Sequence, residues 1–184
     1  MKTPAFRNYS NAVGILGTTT LLLFVGLAMA EQREVTIHAP WTAEGKVYKV
    51  GPAERQFVGV FEGIMYANSK EEELNTALFV CPVVHLLNTD LNKTEASGRC
   101  HIVATEGNIY GRFNCTGEPG WCDGRFQITA GSHEFVGITG SGDINIRLAI
   151  HTKMRDATSG DVIEKAEGLA TWPSLVVNIP ETER

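Results

Sequence analysis

Glu62 and Tyr66 are the first residues in this sequence whose types and spacing suit catalysis. They stand four positions apart in a predicted strand, so both side chains would point from the same face into the mouth of a barrel. A carboxyl group in an apolar cavity has a raised pKa and can transfer protons, which is the chemistry of an isomerase or a cyclase. The opposing interpretation is a solvent-exposed face, on which Glu62 is an ordinary surface charge.

His85 is the third candidate for acid–base catalysis. It lies in the most apolar stretch of the chain, with Val83 and Val84 before it and Leu86 and Leu87 after it. A histidine changes charge near neutral pH and can therefore act as a general base. A buried histidine whose hydrogen bonds are satisfied would occupy the same position without a catalytic role.

Polar residues on two later strands are candidates for ligand binding. Tyr110 and Arg112 share one face of a predicted strand, and Arg147 and His151 share a face of another. If these faces line a cavity, Arg112 or Arg147 would hold a carboxylate group of the ligand. If the faces meet water, the same residues form cross-strand surface pairs, as is common in antiparallel sheets.

The sequence lacks the motifs of several other kinds of site. It contains no G-x-S-x-G, so a nucleophilic serine has no support. Its glycines precede strands and do not open a helix, which argues against a phosphate-binding loop. The cysteines form no C-x-x-C pair, so we predict no metal site, and no cofactor is implied.

The four cysteines predict disulfides, because an even number in an exported chain is typical of paired thiols. Cys115 and Cys122 flank the loop TGEPGW, which closes easily. Our first prediction therefore pairs Cys115 with Cys122 and Cys81 with Cys100. A hairpin centred near Gly107 would instead place Cys100 almost opposite Cys115, which leaves open the pairing of Cys100 with Cys115 and of Cys81 with Cys122.

Residues 1–30 have the pattern of a signal peptide. A basic start is followed by the uncharged, largely apolar stretch Val13–Leu27, and Ala28–Ala30 supplies the small residues that a signal peptidase accepts. An uncleaved anchor is disfavoured, because Thr18–Thr20 interrupt a run already shorter than the roughly 20 residues of a membrane-spanning helix. We expect a secreted or periplasmic protein that has no membrane contact after cleavage.

Residues 31–184 are expected to form one acidic domain. The chain has a net charge of −5 at pH 7, and loss of Lys2 and Arg7 with the leader leaves −7. An acidic balance without basic runs disfavours nucleic acid and anionic membranes as partners. The length is sufficient to bury the core of one domain.

Short apolar stretches separated by turn residues predict an all-β fold. Phe57, Phe61 and Met65 share one face of a strand, and Pro40 and Pro173 are expected to end strands. The count favours a single antiparallel eight-stranded β-barrel, with a sandwich as the alternative. One short helix is predicted at Ser69–Ala77, and the strands are Glu34–Ala39, Lys46–Val50, Arg55–Asn68, Leu78–Thr89, Arg99–Thr105, Ile109–Cys115, Gly124–Thr129, two from the glycine-rich stretch ending near His151, and Val162–Trp172.

The stretch Phe126–Ile146 resembles the glycine bend of allene oxide cyclases and dirigent proteins, in which a strand leads into G-G-[ST]-G-x-F. Gly131, Ser132, Phe135 and Gly140 match this pattern. The resemblance implies a barrel, and it extends to uncharacterised exported bacterial proteins with several cysteines. His133 stands where the family has glycine. If the position requires a positive φ, the histidine is strained, which makes it a further candidate for ligand binding.

Two functions fit these patterns. The first is an exported barrel that binds a small apolar molecule and acts as a cofactor-independent isomerase or cyclase. The second is a non-catalytic secreted or cell-envelope interaction barrel whose own side chains fill its core. A cavity on the order of several hundred Å³ would favour the first. A homo-oligomer is compatible with both, because apolar residues occupy both faces of Val83–Leu87.

Overall fold

The computed structural model describes residues 31–68, 76–155 and 162–180 and confirms the predicted fold, a closed antiparallel barrel of eight strands. Consecutive strands are neighbours, and β1 also pairs with β8, which closes the barrel. The predicted signal peptide and residues 69–75 of the predicted helix lie outside the described residues. The strands are β1 (Glu31–Lys49), β2 (Glu54–Asn68), β3 (Thr76–Asn88), β4 (Lys93–Ala104), β5 (Gly107–Glu118), β6 (Trp121–Gly131), β7 (Thr139–Arg155) and β8 (Val162–Ile179).

Alternation of side chains along each strand separates the core from the surface. In β3, Ala77, Phe79, Cys81 and Val83 are buried while the residues between them are exposed. The prediction that Thr76 and Ala77 belong to a helix is wrong, because these residues begin β3. Buried apolar residues of this kind line the inside of the whole barrel.

The prediction that Pro40 ends a strand is wrong, because β1 continues through it. Pro40 pairs with Leu169 on β8, whereas the ladder to β2 skips from His38 to Trp41. A proline has no N–H to donate, so β1 loses its pairing with β2 at this position while its pairing with β8 continues. Gly63 on β2 makes room there, since a Cβ on it would lie 2.2 Å from the Pro40 carbonyl oxygen.

The prediction that Pro173 ends the last strand is also wrong. The register between β1 and β8 shifts between Val35 and Ile37, whose partners are Leu175 and Trp172. A β-bulge of this kind takes up an extra residue and tolerates proline. The hydroxyl of Thr36 donates a 2.9 Å hydrogen bond to the Pro173 carbonyl. The bulge keeps both Trp172 and Leu175 directed into the core.

The glycine bend closes one end of the barrel. The sequence predicts a middle strand between β6 and β7, and this prediction is wrong, because residues His133–Phe135 form a single turn of 3₁₀ helix. His133 has a positive φ of 56°, so the condition under which the histidine would be strained is met. Gly131 allows the close approach of the turn, because a Cβ on it would lie 2.1 Å from the Phe135 carbonyl oxygen. Phe135 is 1% exposed and caps the core.

The first predicted disulfide pairing is confirmed and the alternative is wrong. Cys81 bonds Cys100 between β3 and β4, and Cys115 bonds Cys122 between β5 and β6. The alternative fails on register, because Cys100 lies opposite Gly111 and not Cys115. Two buried disulfides indicate an oxidising compartment, outside the cell or in the periplasm. Within the described ranges, no helix is long and apolar enough to cross a membrane.

Candidate functional site

The interior of the barrel is filled by its own side chains. Trp41 stacks on Phe61 with ring centroids 4.4 Å apart, and Phe126 meets the edge of Trp172 at 5.5 Å. Near the end that Phe135 caps, a cavity of about 30 Å³ has apolar walls, among them Met65 and Phe126. A small-molecule site usually needs on the order of 300–1,000 Å³.

The opposite end of the barrel contains a second cavity, of about 70 Å³, which we call the mouth cavity. Residues of seven of the eight strands line it. The ends of β3 and β7 meet the starts of β4, β6 and β8 at this rim. Its wall is apolar apart from a few polar groups. The lining residues are Trp41, Phe61, His85, Thr94, Ala96, Gly120, Trp121, Cys122, Ile146, Leu148 and Glu164.

His85 points into the mouth cavity, because it shares its strand face with the buried Cys81 and Val83. Its Nε2 atom makes a hydrogen bond with the Thr94 hydroxyl, which in turn donates to the Leu86 carbonyl at 3.3 Å. Since the hydroxyl proton goes to Leu86, the imidazole is the donor in the first bond. Burial is the largest effect and lowers the pKa of His85. Glu164 raises this pKa and Lys153 lowers it, each by less than burial does. His85 is therefore a neutral imidazole at neutral pH.

Glu164 and Thr94 are polar residues of the mouth cavity that the sequence reasoning missed. Thr94 is 3% exposed, and the Glu164 side chain is 16% exposed and forms a 3.5 Å salt bridge with Lys153. Glu164 alternates in phase with the buried Ala166 and Ala170. That local pattern could have identified Glu164 as inward-facing, but nothing local connects it with His85.

Glu62 and Tyr66 do not point into the barrel, and that expectation is wrong. Both are exposed on the outer face, while Met65, which lies between them in the sequence, is buried. They line an open outer groove of about 780 Å³ that crosses β1 and β8 and also includes Arg147 and Glu167. Three of the predicted site residues, Glu62, Tyr66 and Arg147, thus line one groove. His85 does not belong to it.

The remaining predicted ligand-binding residues lie in separate places. Tyr110 is on the outer face and stacks on His101 at 5.0 Å, and Arg112 donates two hydrogen bonds to Gln127 at 2.8 and 3.1 Å. Both contacts are cross-strand pairs on the surface, which fits the interpretation in which these strand faces meet water. His133 is exposed at the capped end, where its Nδ1 lies 3.1 Å from the Ser132 hydroxyl.

Arg147 is engaged by its neighbours at the rim of the barrel. Its guanidinium lies 4.1 Å from the ring centroid of Trp121, and it forms a 3.6 Å ion pair with Asp123. A ligand carboxylate would compete with Asp123 for this guanidinium. The predicted role in carboxylate binding therefore stays a prediction.

The outer face of β2 and β3 is unusually apolar for a barrel surface. Register places Val58 opposite Val84 and Ile64 opposite Leu78, so these side chains form one continuous patch. We call it the β2–β3 face, and it consists of seven side chains that are each at least 37% exposed: Val58, Val60, Ile64, Tyr66, Leu78, Val80 and Val84. Glu62 is the one charged residue pointing outward between them on these strands.

Comparison with known proteins adds no family assignment to this geometry. The sequence matches no protein-family model, and no curated protein matches it. The fold, the mouth cavity and the β2–β3 face are therefore the features from which a function can be inferred.

Proposed function

We propose that this protein is an exported, non-catalytic interaction barrel that associates with a second copy of itself through the β2–β3 face. The observation that carries the proposal is the combination of a filled interior with an apolar outer surface. A barrel that held an apolar substrate would need interior room, and the 30 and 70 Å³ cavities are far smaller than such sites. The apolar surface lies outside, where it serves contact with another molecule.

The charge distribution makes the β2–β3 face the surface on which two copies would repel each other least. The chain is acidic, with a net charge of −5, so most approaches of two copies bring like charges together. The β2–β3 face carries one charge, that of Glu62. The charged residues Lys93 and Arg99 lie on the adjacent strand β4. An apolar centre beside a polar rim is the usual anatomy of a protein interface.

The geometry of the face suits sheet-on-sheet packing. The face covers nine residues of β2, from Val58 to Tyr66, and seven of β3, from Leu78 to Val84. These segments extend for about 30 and 23 Å at the spacing of a β-strand. Two such faces have the same twist, and they can pack about 10 Å apart as the two sheets of a sandwich do. The adjoining outer groove, into which Tyr66 and Leu78 continue, adds concave surface at the edge of the contact.

Size-exclusion chromatography with light scattering tests the proposal. We expect the purified protein to be a dimer or larger at micromolar concentration. Leu78→Asp, at a side chain 58% exposed, should give a folded monomer, because a charge would be buried in the interface. Leu91→Asp is the matched control, since Leu91 is 64% exposed in the β3–β4 turn and away from the face. A monomeric wild type, or equal effects of both substitutions, contradicts the proposal.

A second candidate function is the small-molecule isomerase or cyclase implied by the glycine-bend resemblance. The observation that favours it is His85, a neutral imidazole beside Thr94 and Glu164 in a cavity open at the rim. A neutral imidazole can act as a general base. This function requires the interior to expand on binding.

A further inference from the structure

We propose that a depression on the outer surface of β5 and β6 binds a phosphate monoester group. The depression has a volume of about 490 Å³, which lies within the range of roughly 300–1,000 Å³ for small-molecule sites. We call it the β5–β6 depression, and it is lined by Arg112, Phe113, Asn114, Arg125, Phe126, Gln127 and Ser141. It shares no residue with the β2–β3 face, so this inference goes beyond self-association, and either proposal can fail without the other.

Strand register brings arginines together at the β5–β6 depression. Arg112 lies directly opposite Arg99 on β4, and Arg125 lies opposite Asn114 on β5. All four residues are exposed on the outer face. Like charges directly opposite each other on neighbouring strands destabilise a sheet. An anion held between Arg99 and Arg112 would relieve this repulsion.

The local charge at the depression is positive, although the chain as a whole is acidic. Register aligns two rows of outward-facing residues across β4 to β7: the first contains Arg99, Arg112, Gln127 and Ser141, and the second contains Ser97, Asn114, Arg125 and Asp143. Asp143 is the one carboxylate in these rows, and it lies 2.7 Å from Arg125. Three arginines against one carboxylate leave an excess of two positive charges. Charges beyond about 10 Å are largely screened at 0.1 M salt, so this local excess outweighs the net charge of −5.

The groups left without partners at the depression are mainly hydrogen-bond donors. Arg112 donates to Gln127 Oε1 from Nε at 3.1 Å and from Nη2 at 2.8 Å, so the amide oxygen is occupied while the amide N–H groups of Gln127 stay unpaired. Arg99 and Asn114 have no hydrogen-bond or ion-pair partner in the described part of the chain. A surface with free N–H donors and occupied acceptors suits an anion, which only accepts hydrogen bonds.

The number and placement of the donors favour a phosphate monoester over a carboxylate. The donors come from three neighbouring strands, with Arg99 on β4, Arg112 on β5 and Gln127 on β6. A carboxylate has two oxygens in one plane, and a single guanidinium fork satisfies both. A phosphate monoester has three acceptor oxygens and a charge of about −1.5 to −2 at pH 7. It therefore matches both the spread of the donors and the excess of two positive charges.

Two-dimensional ¹H–¹⁵N NMR of the labelled protein at pH 8 tests this proposal, with methyl phosphate as the probe. We expect the titration to shift the side-chain amide signals of Asn114 and Gln127. Methyl sulfate has the same shape and one negative charge, so it should bind several-fold more weakly. Sedimentation with phosphatidylcholine vesicles that contain phosphatidic acid distinguishes the source of the group. Retention by the vesicles identifies a lipid headgroup, and methyl phosphate binding without retention identifies a soluble ester.

Arg112→Gln is the decisive variant, and Arg55→Gln is its matched control, because it removes the same charge from an exposed arginine near the start of β2. Loss of the Arg112 guanidinium should weaken methyl phosphate binding about tenfold, whereas Arg55→Gln should leave it unchanged. Leu78→Asp should also leave it unchanged, which separates this site from self-association. The absence of amide shifts with methyl phosphate, equal affinity for methyl sulfate, or equal effects of the two arginine variants would overturn the proposal.

Discussion

His85 combines features that make a single residue sensitive to pH. It lies inside the barrel, donates from Nε2 to Thr94, and is held neutral because burial disfavours the charged imidazolium. The groups that face it are Glu164, which favours the charged form, and Lys153, which opposes it. The same histidine in an unfolded chain is free to take up a proton.

We therefore predict that the protein loses stability on acidification through this residue. The pKa of His85 is lowered from its ordinary value of 6.5, so below pH 6.5 the unfolded state binds a proton that the folded state does not. This destabilising contribution of His85 is absent well above pH 6.5, and it grows as the pH falls toward the pKa of the folded state. Urea unfolding between pH 8 and pH 5 should show a shallower decline for His85→Gln than for the wild type. Parallel profiles would contradict this account.

The bend between β6 and β7 is the place where this sequence has a histidine instead of an expected glycine. His133 has a φ of 56° and lies one residue after Ser132, which has an extended backbone. A side chain in the left-handed region costs about 1–2 kcal/mol, although histidine is among the residues more often found there. The bend therefore contains strain in a segment whose Phe135 caps the core.

Paired substitutions at His133 separate backbone strain from side-chain contacts. Both His133→Gly and His133→Ala remove the imidazole and its contact with Ser132, but only the glycine removes the Cβ. We predict that the glycine variant has a free energy of unfolding about 1 kcal/mol higher than the alanine variant, after allowance for the entropy of glycine. Chemical denaturation measures the difference. Equal stability of the two variants would show that the bend is not strained at this residue.

For the whole molecule, closure into a barrel leaves an interior filled by aromatic side chains and two disulfides. Trp41, Phe79, Phe126 and Trp172 are at most 5% exposed. Such close packing resists the entry of a large ligand, because the displaced side chains would lose their contacts. The filled interior is the physical reason for preferring an interaction barrel to an enzyme acting on an apolar substrate.

A panel of apolar ligands tests this conclusion for the molecule as a whole. Terpenoid, fatty-acid and phenolic probes should leave the melting temperature of the purified protein unchanged. A ligand present at 100 times its Kd would raise the free energy of unfolding by about 2.7 kcal/mol, which is easily measured as a shift in Tm. A reproducible rise with any of these probes would favour the isomerase or cyclase and count against the interaction barrel.

Features that depend on neighbours in the chain follow from the amino-acid sequence alone. Alternation placed Phe57, Phe61 and Met65 on one side of β2 and Glu62 on the other, and the short loop between Cys115 and Cys122 favoured the pairing that the fold adopts. These patterns are local because the period of a strand is two residues. They also indicated an all-β barrel, although they divided β1 at Pro40 and added a strand at the bend.

The packing of all eight strands selects which face of each strand lies inside and which distant residues meet. Barrel closure turned Glu62 outward and brought Glu164 to His85 from the other end of the sequence. It also absorbed the two prolines, because Pro40 loses its ladder on one side and Pro173 lies at a bulge. The physical reason is that an alternating strand has two possible inward faces. Packing against the other seven strands selects between them.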